Sequence, residues 1–270
     1  MSLLWPSQLL VGISQHSVAM LQLSGLSKRV QHKQHVQIAT PEQGWNQALS
    51  QLQTMLTSLP QPKPKVLRVV LASDFVRYLA LPSSGGIMRN EDKIDFARAA
   101  YKEVYGNMAD AWQIQCDDAA PDQASLSAAV DKDLIEALTK LAQQHDMRLT
   151  SVQPQLMPVF NRSKAQLGAA QQHFALVESG RLLFSQLKNG HWQKIRSFAL
   201  ESDWTAQLKS IAQRENMSNG AEAGHTLLVY APHDKACSLP HISGWTIQRM
   251  GVDNRGLQGL GQPYAMLEAV

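Results

Sequence analysis

Two stretches of the chain open in the same way, "PEQGWNQALSQL" at residues 41–52 and "LESDWTAQLKSI" at residues 200–211. Both follow the pattern Glu-x-x-Trp-x-x-x-Leu-x-x-apolar, and their tryptophans, Trp45 and Trp204, stand 159 residues apart. Apolar residues recur at three- and four-residue intervals, which is typical of a helix that buries one face. The repeat therefore predicts two equivalent helices, with each tryptophan docking its helix on a sheet.

Strand-like runs surround both helices in the same order. Three runs precede each helix and one follows it: LLVGIS, SVAMLQL, HVQIAT and then VLRVVLA in the first half, and HFALVESG, RLLFSQL, WQKIRSFAL and then HTLLVYA in the second. Between the second and third runs of the second half, Asn189-Gly190 predicts a hairpin turn, because both residues tolerate positive φ. The near-constant offset between the runs indicates a duplicated βββαβ unit.

A different segment separates the repeats. Residues 75–150 have the pattern β-α-β-β-α-β, with helices predicted in "EDKIDFARAAYKEVYG" and "DKDLIEALTKLAQQHD" and with Asp131 as the N-cap of the second. We therefore expect three parts: a first half formed by 1–74 plus 151–170, an inserted α+β subdomain at 75–150, and a second half at 171–270. The stretch "PQLMPVFNRSKAQLGAA" bridges the insertion and the second half, as a helix.

The composition is typical of a water-soluble protein with a sizeable core. The 270 residues are 44% hydrophobic and 17% charged, with a net charge of +3, and the bases are scattered, so we expect no nucleic-acid partner. Cys116 and Cys237 match no zinc pattern, which predicts two reduced intracellular thiols. No stretch is long and apolar enough to span a bilayer, and the N-terminus is a poor signal peptide, so we expect a cytoplasmic protein without direct membrane insertion.

The duplicated halves with an insertion resemble the actin-like fold shared by actin, Hsp70 and the sugar kinases. The phrases "VRYLALPSSGG", "KIDFARAAYKEVYG", "SLSAAVDKDLIEALTKLAQQHDMRLTSVQPQLMPV" and "FALVESGRLLFSQLKNGHWQKIRSFALESDW" are similar to PilM-type proteins of type IV pilus biogenesis, to their MSHA-type relatives and to the cytoplasmic domain of the type II secretion protein GspL. The resemblance covers most of residues 8–250. It implies an actin-like (ASKHA) α/β fold and an assembly component on the inner face of a bacterial inner membrane.

The resemblance also implies where a nucleotide would bind. Actin-like ATPases clamp phosphates between two hairpin turns, one in each half, that carry Asp-x-Gly, where glycine lets backbone N–H groups approach the phosphates. The first turn here is Ser14-Gln15-His16-Ser17, which has no carboxylate, glycine or lysine, and Gly12 lies before it on the strand. The serines are open to two interpretations, phosphate contacts or ordinary hydroxyl-to-backbone turn chemistry.

The second turn, Glu178-Ser179-Gly180, matches acid-x-Gly, but Arg181 begins the next strand and leaves almost no loop. Glu178 is either a Mg²⁺-orienting acid or a solvated hairpin acid. Four late glycines either line an adenine site or form a mobile tail: Gly251, Gly256, Gly259 and Gly261. Together these degenerate turns favour no cofactor, although ATP and Mg²⁺ remain the alternative.

No enzyme motif is present in the sequence. GxSxG, HExxH and the P-loop are all missing, and a metal pair at Cys116-Asp117-Asp118 is less expected than a solvated acidic turn, so we expect no metal site. A sugar kinase would need a catalytic aspartate in the cleft, and neither turn has one. Phosphoryl transfer depends on a metal and positioned charge, and both are poorly provided. We therefore expect a protein that is not an enzyme.

Two functions stay open at this level. The first is a non-catalytic scaffold that holds the cytoplasmic tail of an inner-membrane partner of the PilN or GspM type, together with a secretion or pilus assembly ATPase. The tail would dock on the insertion, and the chain would be peripheral at the membrane through its partners. The second is a nucleotide-regulated actin-like switch in the same machinery.

Overall fold

The computed structural model describes residues 7–25, 29–39, 44–61, 63–83, 89–120, 123–163, 166, 172–219, 224–251, 257 and 259–270. Its strands are β1 Gln8–Ile13, β2 Ser17–Ser24, β3 Arg29–Gln37, β4 Val66–Leu71, β5 Val76–Leu81, β6 Trp112–Cys116, β7 Ser125–Asp131, β8 Arg148–Pro154, β9 Gln172–Val177, β10 Arg181–Lys188, β11 His191–Ala199, β12 His225–Tyr230 and β13 Trp245–Arg249. Its α-helices are α1 Trp45–Thr57, α2 Asn90–Tyr105, α3 Lys132–Gln144, α4 Leu156–Ser163 and α5 Trp204–Asn219. Two 3₁₀ helices span Gly106–Ala111 and Gln262–Leu267.

The first five-stranded sheet has the order β3-β2-β1-β4-β8. β1–β2 and β2–β3 are antiparallel, whereas β4 runs parallel to both β1 and β8. The central strands β1, β2 and β4 are largely buried on both faces. Helix α1 packs on β2, and the C-terminal residues pack on β1 and β2. Helix α1 buries Ala48, Leu52, Met55 and Leu56 at helical spacing, as the sequence predicts.

The second five-stranded sheet, β11-β10-β9-β12-β13, repeats the first in order and strand direction. Even an irregularity recurs: the β2–β3 ladder shifts register at Gln22/Leu23, and the β10–β11 ladder shifts at Gln186/Leu187, so both bulges fall at a Gln-Leu pair. Asn189 and Gly190 both have positive φ, which confirms the predicted hairpin turn. The duplicated βββαβ order is confirmed, and each sheet adds a fifth strand.

The two tryptophans behave as equivalent residues. Each is the first residue of its helix, and each indole Nε1–H donates to an aspartate carboxylate, Trp45 to Asp131 at 3.3 Å and Trp204 to Asp234 at 3.1 Å. Trp204 belongs to the core of the second sheet, and Trp45 is half-buried. Glu42, the acid of the first repeated motif, lies outside the described residues.

A three-stranded sheet, β5-β7-β6, and helix α2 form most of the insertion. Tyr101 on α2 is fully buried beneath that helix, and its hydroxyl donates to the carbonyls of Arg77 and Ser127. The last two elements of the expected β-α-β-β-α-β pattern, α3 and β8, form but do not belong to the insertion. Helix α3 packs beside α1, and β8 pairs with β4 in the first sheet, because a parallel strand at this edge completes that sheet.

The described chain divides into two compact units. The first contains the first sheet with α1, α3 and the C-terminal residues, and the second contains most of the insertion and the second sheet. The expected second half therefore loses its last residues to the first unit, since Tyr264, Met266 and Leu267 pack with Leu10 and Leu21. The three-part division stays a proposal, with two changes. Helix α3 and β8 join the first half, and so do the C-terminal residues.

Between β12 and β13, a stretch that the structure describes throughout, the second sheet has no counterpart of α3. The residues between β12 and β13, 231–244, form turns, and Cys237, Leu239 and Ile242 from this stretch pack on the α5 side of the core. Among the described residues, no helix combines the length and apolar character that crossing a bilayer requires.

Candidate functional site

The first turn, between β1 and β2, is closed by its own side chains. Ser14 N donates to the Ser17 carbonyl at 2.9 Å, and the buried Ser14 hydroxyl accepts from His16 N at 3.2 Å and from Ser17 N at 2.9 Å. The two serine hydroxyls lie 3.1 Å apart. The hydroxyl-to-backbone interpretation of these serines therefore describes the contacts that the structure contains.

Asp74 provides the carboxylate that the turn itself lacks. It follows β4, its side chain is buried, and its Oδ2 accepts from Gln15 N at 3.3 Å. Asp74 is not among the site residues predicted from the sequence. The available signal was an acid shortly after a buried parallel strand, because β4 lies beside β1 and their carboxyl ends share one edge of the sheet.

The described contacts of the first turn do not fit a phosphate-binding loop. Such a loop needs several backbone N–H groups directed at the ligand, with no competing anion. Here the N–H groups of Gln15, His16 and Ser17 are taken by the Asp74 carboxylate and the Ser14 hydroxyl. A phosphate would have to displace these acceptors before the N–H groups could bind it.

Gly12 serves packing rather than the turn. A Cβ at this position would lie 2.5 Å from Sδ and 2.7 Å from Cγ of Met266, and 3.0 Å from a Leu267 methyl carbon. The glycine therefore lets the C-terminal segment, residues 259–270, lie directly on β1. Gly259 and Gly261 have positive φ within this segment. Because its Tyr264, Met266 and Leu267 are buried, the expectation of a mobile tail is wrong for these residues.

The remaining late glycines do not extend this picture. Gly256 lies outside the described residues. Gly251 follows β13, and its carbonyl accepts from the Gln166 side chain at 2.9 Å.

The second turn has the same backbone closure as the first. Glu178 N donates to the Arg181 carbonyl at 2.8 Å, and Leu200 N donates to the Gly180 carbonyl at 3.1 Å. Glu178 is only 2% exposed, so the expected solvated hairpin acid is wrong: β9 ends inside the core and carries this carboxylate with it. Ser179 is exposed. The two turns belong to different compact units, and whether either contacts a nucleotide stays a prediction.

The acidic turn after β6 resembles ordinary loop chemistry. Asp117 N donates to the Leu126 carbonyl, and its Oδ1 accepts from Ala119 N. Burial raises the pKa of the Cys116 thiol, which disfavours the thiolate that a metal would need. Within the described part of the chain, no three His, Cys, Asp or Glu side chains are grouped to hold a metal ion.

A second candidate surface lies on α2 and the following 3₁₀ helix. Three of its large apolar side chains are exposed: Phe96 by 37%, Val104 by 59% and Met108 by 64%. We name these three residues the apolar stripe. Phe96 and Val104 are eight residues apart on α2, about 12 Å along the helix axis and about 80° around it. Ala97 and Tyr101 of the same helix are fully buried and anchor α2.

Similarity to known proteins lies in structure rather than in sequence. No family model matches the chain, and no curated protein matches it. A Bacteroides thetaiotaomicron protein described as having an actin-like ATPase fold and unknown function superposes with a TM-score of 0.57 at 11% identity, over 84% of this chain and 82% of that one. The chain has the actin-like fold. The expectation from the resemblance is therefore confirmed at the level of the fold.

Two further solved structures cover nearly the whole chain. One is the cytoplasmic domain of EpsL, an inner-membrane component of the type II secretion system of Vibrio cholerae, with a TM-score of 0.57, 14% identity, and coverage of 97% of this chain and 94% of that one. The other is a chain of a PilM–PilN type IV pilus biogenesis complex, with a TM-score of 0.63, 10% identity, and coverage of 97% of both chains. These are the protein groups that the sequence phrases resemble.

Proposed function

We propose that this chain is a non-catalytic cytoplasmic scaffold of a type IV pilus or type II secretion assembly. The observation that carries the proposal is its structural likeness, over 97% of both chains, to a component of the PilM–PilN complex. By analogy, the chain binds the cytoplasmic tail of an inner-membrane protein and is held at the membrane through that partner. A secretion or pilus assembly ATPase is the second partner that such a scaffold would position.

The closed first turn supports a scaffold over an ATPase. Phosphoryl transfer relies on donors and a metal that stabilise the charge of the phosphates. In the first turn the donors are satisfied by Ser14 and Asp74. The alternative, a nucleotide-regulated switch, would require these hydrogen bonds to break before a phosphate could bind.

The apolar stripe is the docking surface that we propose for the tail. Exposed apolar side chains that are close together on a surface are a common recognition site for an amphipathic segment. The surface is firmly supported, because Tyr101 fixes α2 to the sheet by two hydrogen bonds and packs against Tyr105 and Trp112. A tail with apolar residues at helical spacing would therefore meet a preformed surface.

The test is binding of a labelled peptide with the cytoplasmic-tail sequence of the single-pass assembly protein encoded in the same genome. Fluorescence anisotropy should show saturable binding by the intact chain. Met108→Asp should weaken it by about tenfold or more, because a charge replaces an apolar contact.

Met217→Asp is the matched control, since Met217 is an isolated methionine on α5 that is 87% exposed. This variant should bind the peptide as the unmodified chain does. No saturable binding by the unmodified chain would contradict the scaffold function. Equal losses from both variants would contradict only the placement of the tail on the apolar stripe.

A further inference from the structure

One end of the first sheet gathers basic residues from separate parts of the chain. Arg29 begins β3, Lys63 and Lys65 precede β4, and Arg148 begins β8. We name these four residues the basic end. Along the sequence the bases are scattered, but the sheet topology brings these four to one end of the first sheet.

The strand register places the four residues side by side. Gln8 pairs with both Leu23 and Val66, Val66 pairs with Arg148, and Lys65 directly precedes Val66. On the other side, Arg29 pairs with Ser24 at the end of β2. With neighbouring strands about 4.8 Å apart, the five strands spread these charges over roughly 20 Å. The Arg148 N–H donates to the Lys65 carbonyl at 2.9 Å, which fixes the two segments together.

The charge at this end is poorly compensated. Residues 1–73 contain six Lys and Arg residues and a single acid, Glu42. Asp146 is the one acid in the described stretches that form this end, which are 7–8, 23–25, 29–30, 58–61, 63–66 and 144–148. Within the described residues, none of the four bases forms an ion pair. Partial burial is the main cause that lowers the pKa of His145, and the charge of Lys63 is the second. The Lys63 ammonium therefore lies close to His145, the residue that caps the C-terminus of α3.

Support of the fold does not account for these charges. Helices α1 and α3 both end here, and a base in their last turns would stabilise the helix dipole. Neither last turn contains one, because the bases lie beyond the helix ends. Arg29, Lys65 and Arg148 are exposed, and Lys63 is half-buried.

We propose that the basic end contacts the anionic headgroups of the cytoplasmic membrane leaflet. This inference rests on the proposed function, which brings the chain to that leaflet. Each Lys or Arg near an anionic membrane surface adds a favourable increment to the binding free energy. This attraction needs no particular side-chain orientation, so charges from separate segments act together without a shaped pocket. The contact is salt-dependent and orients the first sheet with the N-terminal ends of β4 and β8 towards the lipid.

The test is co-sedimentation of the full chain with vesicles of phosphatidylcholine containing phosphatidylglycerol, compared with vesicles of phosphatidylcholine alone. The chain should bind only the anionic vesicles, and binding should fall as salt rises. The double variant Lys63→Glu and Lys65→Glu should lower the partition coefficient about 25-fold or more. If that variant does not fold, Arg29→Glu with Arg148→Glu should give the same loss.

The matched control reverses two exposed lysines of the second unit, Lys188→Glu with Lys209→Glu, and so changes the net charge equally. It should retain at least half of the binding. Equal loss in the control, equal binding to neutral vesicles, or binding to a DNA duplex as strong as to anionic vesicles would overturn the proposal. The basic-end variant should still bind the tail peptide, so failure here is distinguishable from failure of the scaffold function.

Discussion

At the residue scale, the Ser14 side chain accepts the backbone hydrogen bonds of the first turn that a bound phosphate would accept in a phosphate-binding loop. Its hydroxyl accepts from two backbone N–H groups, and Asp74 accepts from a third. Buried donors that lose their acceptor cost free energy, so the turn is stable only while these side chains stay in place. The same hydrogen bonds that hold the hairpin therefore close it to an anion.

Ser14→Ala should lower the free energy of unfolding by about 1–2 kcal/mol, because two N–H groups in a partly buried turn lose their acceptor. Ser17→Ala is the control, since the Ser17 hydroxyl contacts only the Ser14 hydroxyl among the hydrogen bonds described for it. Urea denaturation of both variants measures the difference. Equal effects of the two substitutions would show that the Ser14 hydroxyl does not support the turn.

The burial of His173 predicts that the free energy of unfolding decreases as the pH falls. This side chain is fully buried beside Trp245 and His225, and burial, followed by His225, lowers its pKa to about 4 from an ordinary value of 6.5. The folded state thus prefers neutral imidazole. Its contribution is complete above pH 6.5 and is lost as the pH falls towards 4, by about 3 kcal/mol in total.

The measurement is the unfolding free energy between pH 7 and 4 for the unmodified chain and for His173→Phe. The phenylalanine variant should lose less stability on acidification, by about the same 3 kcal/mol. Lys194, Glu215 and His225 act electrostatically on His173, and they remain in both proteins. Parallel pH profiles would contradict the role of His173.

At the element scale, local pattern predicted most strands and helices, whereas their partners required the fold. The helical stripe from Trp45 and the hairpin turn at Asn189-Gly190 follow from periodicity and turn chemistry, which are local. The pairing of β8 with β4 connects residues about 80 positions apart. From the sequence, this strand has two candidate sheets, that of the insertion and the first five-stranded sheet. Sequence spacing alone does not choose between them.

The C-terminal segment is the element whose place was hardest to predict. Its glycines suggested mobility, yet Tyr264, Met266 and Leu267 are buried on the first sheet. The compensating signal was Gly12, a glycine inside a buried strand, which often marks a close approach of another segment. Asp74 could not be predicted for a similar reason. It contacts the first turn because β4 lies beside β1, and that pairing is not evident from the local sequence.

Gly12→Ala should destabilise the chain by about 1–3 kcal/mol, because the added methyl group overlaps Met266. The cost should shrink when Met266→Ala is also present, since the clash is then relieved. A double-mutant cycle by urea denaturation measures this coupling. Strict additivity would show that the segment does not lie on β1 as described.

At the scale of the whole molecule, duplication explains the shared order of the two sheets. Both sheets keep the order, the bulge and the tryptophan–aspartate hydrogen bond. Among the described residues, the insertion and α3 occur in the first half alone, and the two hairpin turns differ in their acids. The resemblance gave the fold because it depends on element order, whereas partner identity depends on surfaces that element order leaves undetermined.

The most direct test of the central claim is thermal unfolding of the full chain in rising concentrations of ATP with Mg²⁺. A ligand that binds the folded state at 100 times its dissociation constant stabilises it by about 2.7 kcal/mol, which is readily measured as a rise in Tm. With its first turn closed by Ser14 and Asp74, the chain should show an unchanged Tm into the millimolar range. A concentration-dependent, Mg²⁺-requiring rise in Tm would contradict the account and favour the nucleotide-regulated switch.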